Sequence, residues 1–92
     1  MELTDKCKEA FEKWNSENNY GAYKFEDFND SMKYGVYVDF FDSVGIPISQ
    51  STQIDRLRLY SSFSIKGVIE MHKTRNEARK AAIQKANEIF NQ

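Results

Sequence analysis

Apolar residues fall four apart from Phe28 through Met32, Val36 and Phe40 to Val44, and from Ile46 the repeat changes to every second position. A period near 3.6 belongs to a helix and a period of two to a strand, so this chain is committed to a mixed fold. Gly45 stands at the change, where a residue tolerant of the left-handed conformation can end a helix. Tyr37 and Phe41 widen the helical stripe. The β-branched Val36 and Val38 and the poor helix former Gly35 would also suit a strand over residues 34–40, but the spacing of four favours helix.

Elements follow on both sides. Thr4 is placed to cap a first helix with its hydroxyl, and Leu3, Cys7, Ala10, Phe11 and Trp14 recur on one face of it. The turn formers of residues 15–21 end that helix. After Gly45, Ile46 and Ile48 alternate with Pro47 and Ser49, and Ser51-Thr52-Gln53 reads as the first turn. Leu57, Leu59, Ser61, Phe63 and Ile65 then share one side of a strand, with Arg56, Arg58, Tyr60 and Ser62 on the other. Lys66-Gly67 is a turn or bulge before a last strand near residues 68–71. Thr74-Arg75-Asn76-Glu77 has the form of a capping box, opening a helix whose face is Ala78, Ala81, Ala82, Ala86, Ile89 and Phe90. The expected fold is α+β, a three-stranded antiparallel meander with helices on one face, in the order α-α-β-β-β-α.

At 92 residues the chain makes a single domain, 1–92, because either half would be too small to bury a core. Seven Phe, five Tyr and one Trp supply much area per residue for that core. Cys7 is the only cysteine, so no internal disulfide forms and a reducing cytoplasm is the expected setting. The start, Met1-Glu2-Leu3-Thr4-Asp5, lacks the basic residues and apolar run of a signal peptide, and no apolar run is long enough to span a bilayer. Charge is uneven. Residues 1–44 hold five Lys against ten Asp or Glu, whereas residues 45–92 hold eight Lys or Arg against four Asp or Glu. Two oppositely charged surfaces, or two halves that attract each other, both follow from that asymmetry.

The groups that carry chemistry are few. His72 is the single histidine, has no second ligand at metal spacing, and reads as a polar residue closing the last strand. Cys7 lies on an apolar helix face, where it packs rather than reacts. Asp39 and Asp42 flank Phe40-Phe41 and read as the solvated side of an amphipathic segment. No glycine-rich phosphate loop and no nucleophile turn is present. Neither a catalytic site, a metal nor a cofactor is expected. The acidic, aromatic region 20–42 is the stronger candidate surface. Tyr20, Tyr23, Glu26, Asp27, Asp30 and Tyr34 combine ring area with carboxylates, which suits binding to a protein partner.

Two resemblances extend this reading. Residues 74–83, with Arg75, Arg79 and Lys80 before an alanine-rich face, resemble the last helix of double-stranded-RNA-binding domains, which also follows a three-stranded sheet. That resemblance implies phosphate contacts from these three residues, and Arg56 and Arg58 would join them in a nucleic-acid-binding alternative. It covers under a fifth of the chain, and the family's Gly-Pro-His-type loop is missing. Residues 32–46, with Thr74-Arg75-Asn76-Glu77-Ala78 and Lys85-Ala86-Asn87-Glu88-Ile89, resemble short uncharacterised proteins of phages and prophages. This implies a small accessory protein that acts on a host system by binding, without catalysis.

Overall fold

The computed structural model describes residues 2–18 and 24–92. The elements are α1 (Asp5–Glu17), a short 3-10 turn (Phe25–Asp27), α2 (Asp30–Ser43), β1 (Ile48–Asp55), β2 (Arg58–Ile65), β3 (Val68–His72) and α3 (Arg75–Asn91). The strands form an antiparallel meander in the order β1-β2-β3, and the α-α-β-β-β-α architecture is the one expected.

Each helix terminus has a distinct cause. The Asn29 side chain accepts from the Met32 N–H and starts α2. At its end the Ile46 N–H donates to the Phe41 carbonyl and the Gly45 N–H to the Asp42 carbonyl, with Gly45 at φ 81°. This is a Schellman turn, and it seats Ile46 in the core. Thr74 caps α3 by accepting from the Glu77 N–H at 3.1 Å. Only that half of the capping box forms among the described residues.

The cap expected from Thr4 is absent. Asn91 of α3 supplies it instead, its Oδ1 accepting from the Cys7 N–H at 2.9 Å. The neighbouring Asn87 accepts from the Thr4 N–H at 2.9 Å and donates to the Thr4 hydroxyl at 3.0 Å. Thr4 is therefore held by two asparagines more than eighty residues away rather than folding back on its own helix.

The apolar stripe of α2 also differs from the four-residue repeat. Met32 is 50% and Val44 40% exposed, while Tyr34, Tyr37, Phe40 and Phe41 are buried. At about 100° per residue, each step of four overshoots a turn by about 40°, so five residues so spaced spiral round the helix. Steps of three and four together hold one face, and Tyr34, Tyr37 and Phe41 follow that rule. Phe28 precedes the helix and meets Phe25 at 6.3 Å. Phe40 lies at the centre of the rings, edge-on to Phe11 at 5.3 Å and to Trp14 at 5.6 Å. Such pairs add about 0.5–1.5 kcal/mol each beyond burial.

In the sheet, the turn expected at Ser51-Thr52-Gln53 is mid-strand. The chain reverses at Arg56-Leu57, with Asp55 opposite Arg58. Both turn residues have positive φ, 50° and 66°, as a two-residue hairpin of this twist requires. Lys66-Gly67 makes the second such turn, as expected. Phe63 and Ile65 face the helices and are buried. Leu59 shares their side but is exposed, because β3 ends opposite Ser61 and the β1–β2 hairpin continues past it alone. The alanines of α3 at 78, 82 and 86 are fully buried, which lets the helix approach the sheet closely. One core cluster draws on all three helices and on β2.

Candidate functional site

The acidic, aromatic region divides. Tyr20 and Tyr23 lie outside the described residues. Glu26, Asp27 and Asp30 are exposed, on the 3-10 turn and the first residue of α2. Tyr34 is not a surface residue: it is 7% exposed, beneath the Arg79 guanidinium at 5.0 Å from the ring centre. Burial raises its phenol pKa, and the Arg79 charge acts the other way. Its helical phase turns it toward α3, so its ring offers no area to a partner.

Glu26 instead forms part of a groove of about 640 Å³ between α1 and the segment that leads into α2. Leu3, Phe11, Phe25 and Tyr37 contribute apolar lining, and Glu2, Glu12 and Glu26 contribute carboxylates. The rings are locked together: Phe25 meets Phe11 and Tyr37 at 5.1 Å, and Phe11 meets Tyr37 at 5.0 Å. Lys33 reaches over the Phe25 ring at 5.6 Å, and Lys8 also lines the groove. The contribution of α1 to this site was not legible beforehand, because Glu12 and Phe11 reach it only through the docking of α1 on α2. A second depression, of about 550 Å³, is polar and mixed in charge, with Lys80, Gln84 and Glu88 among its lining residues.

The basic residues fall on different elements. Arg56 and Arg58 are at the end of the hairpin, whereas Arg75 and Lys80 are exposed on α3. Arg79, for which the resemblance implied a phosphate contact, is half-buried; its Nη1 donates to the Ser31 hydroxyl at 3.0 Å and its plane covers Tyr34. It ties α3 to α2 and is not free to meet a phosphate.

The other candidate groups are structural in their surroundings. His72 ends β3 and stacks on Phe63 at 5.8 Å and 15°, with Glu70 Oε1 3.5 Å from its Nε2. Cys7 is wholly buried, and burial pushes its thiol up to about 11. Asp39 and Asp42 are exposed. Among the described residues no cluster of His, Cys, Asp or Glu could hold a metal ion, and no helix is long and apolar enough to cross a membrane.

Comparison with protein-family models, curated proteins and solved structures finds no match.

Proposed function

We propose that this chain is a non-enzymatic binding protein that takes a partner's apolar, basic-flanked segment into the groove between α1 and the start of α2. The observation that carries this reading is the placing of Glu2, Glu12 and Glu26 around a set of interlocked rings. Rings already fixed by one another lose little entropy on binding, and three carboxylates against Lys8 and Lys33 leave the groove net negative, which favours a positive partner. The resemblance to short phage accessory proteins implies the same mode of action, binding to a host protein in the cytoplasm.

The test is charge reversal at two exposed positions, Glu12→Lys with Glu26→Lys, which leaves the core intact. The unaltered chain, immobilised in a bacterial lysate, should retain a partner identifiable by mass spectrometry, and the double variant should release it. A partner held equally by both forms would rule out the groove. A gel shift with double-stranded RNA at two salt concentrations tests the nucleic-acid alternative. Tight binding that weakens steeply with salt and is lost in Arg75→Glu/Lys80→Glu, both exposed on α3, would replace the protein-partner reading.

A further inference from the structure

The two edges of the sheet are unlike. β3 is five residues long, carries Glu70 toward the helical side, and lies between Lys66 and Lys73. Charge and shortness are the usual protections of an edge against pairing. β1 is eight residues long, with only Ser, Gln and Thr between Ile48 and Ile54 and no charge before Asp55. Its residues 49–54 are exposed, and among the described residues no strand pairs with its outer side.

The backbone of that edge is in order for pairing. In a hairpin closed by a two-residue turn, the flanking pair exchanges both backbone bonds, here Asp55 and Arg58. Alternation then turns the N–H and C=O of Ile54, Thr52, Gln50 and Ile48 outward. The side chains of these same residues are on the helical face, because Ile48 opposes the buried Ile65.

A second copy meeting β1 antiparallel does so about a twofold axis normal to the sheet, which keeps each face on its own side. Outward-facing residues must then oppose outward-facing residues. Of the registers this allows, the one centred on Ser51 sets Ile48 opposite Ile54 of the second copy and Gln50 opposite Thr52, each twice by symmetry. We propose that β1 pairs with β1 of a second copy in this register, giving one sheet with three strands from each chain.

The register also accounts for apolar groups that the single chain leaves bare. Ile54 is 74% and Leu57 100% exposed, both on the part of the hairpin that outruns β3. In the pair, Ile54 gains Ile48 of the second copy as a neighbour on the same face. Continued beyond the ladder, the register brings the Arg56-Leu57 turn toward the corner where the second copy's α2 leads into β1, which carries its own exposed Val44. The proposal does not rest on the groove between α1 and α2.

Sedimentation equilibrium on the whole chain should give twice the chain mass of 10.8 kDa at high concentration. Ser51→Cys tests the register. On the axis, in a non-hydrogen-bonded position, its Cα faces its mate at about 4.5 Å, a separation that a disulfide spans. Mild oxidation should yield a covalent dimer from Ser51→Cys and not from Ser49→Cys, whose opposite residue is Gln53. The native Cys7 is buried and does not compete. Thr52→Pro removes an outward N–H without touching the β1–β2 ladder, and it should weaken association at least about tenfold while the circular dichroism stays unchanged. A wild-type chain that is monomeric at every concentration would overturn the proposal, including one that takes up an extended peptide on this edge instead. So would equal cross-linking from positions 49 and 51. If Thr52→Pro fails to fold, the two cysteine variants decide the matter alone.

Discussion

Replacing Asn87 with alanine should loosen the first helix from the last, and the size of the effect can be worked from its contacts. Asn87 is 8% exposed and makes two hydrogen bonds to Thr4, one from the backbone N–H and one to the hydroxyl. Each is worth about 1 kcal/mol net. A buried donor left without a partner costs about 1–3 kcal/mol more, but Thr4 is exposed, so water reaches it and the penalty falls at the low end. Alanine returns about 0.5 kcal/mol through its better helix propensity. The expected loss is about 1–3 kcal/mol, read as a lower urea midpoint at unchanged slope by far-ultraviolet circular dichroism. A double-mutant cycle with Thr4→Ala isolates the hydroxyl bond and should return a coupling of about 0.5–1.5 kcal/mol. Gln84→Ala, exposed on the same helix, is the control and should stay within about 0.5 kcal/mol. A neutral Asn87→Ala, or a cycle without coupling, would show that the Asn87–Thr4 bonds do not hold α1, leaving Asn91 and the apolar face to dock it.

Phe40→Ala should cost about 3–5 kcal/mol in the same assay, since the ring is 1% exposed and its contacts span three helices; a loss below about 1 kcal/mol would contradict the core described above. Leu57→Gly should stabilise the dilute, monomeric chain by about 0.5–1 kcal/mol. It relieves a positive φ of 66° at a side chain that buries nothing, against the greater freedom of glycine when unfolded; a loss of stability would refute that. Stability should be flat in pH below about 9 with respect to Cys7 and fall as pH rises toward 11. There the unfolded thiol ionises and the buried one does not, a loss of about 2–3 kcal/mol that Cys7→Ala should abolish. Tyr34 and Tyr37, both raised by burial, act in the same direction, so the fall should steepen above pH 10.

What could be read beforehand was whatever depends on neighbours along the chain. Gly45, Lys66-Gly67 and Thr74 do their work within a few residues of themselves, and all three act where expected. The Arg56-Leu57 turn was hidden because neither residue favours positive φ, while Ser51-Thr52-Gln53 looked like a turn because an edge strand facing solvent can be polar. Asn87 and Asn91 look like surface asparagines until the start of α1 is brought against them. The candidate site followed the same division. Glu26 was legible as an exposed carboxylate beside rings. Tyr34 was not, because its partner Arg79 lies forty-five residues on and reaches it only across the packing of α3 on α2.

The meander has a consequence in time. Its two turns are two residues each, and every pairing in the sheet lies within residues 48–72. α3 begins three residues after β3 ends and packs back on β2, so sheet and last helix are joined by short loops. α1 meets α2 through Phe11 and Phe40 across a loop of nearly thirty residues, and reaches its asparagine anchor on α3 only across more than eighty. Closing short loops before long ones costs less entropy at the barrier. We therefore expect the sheet and α3 to assemble as the nucleus, with α1 arriving after the rate-limiting step. Substitutions in α1 should then speed unfolding while leaving the folding rate unchanged, and a slowed folding rate for Phe11→Leu would place α1 inside the nucleus instead.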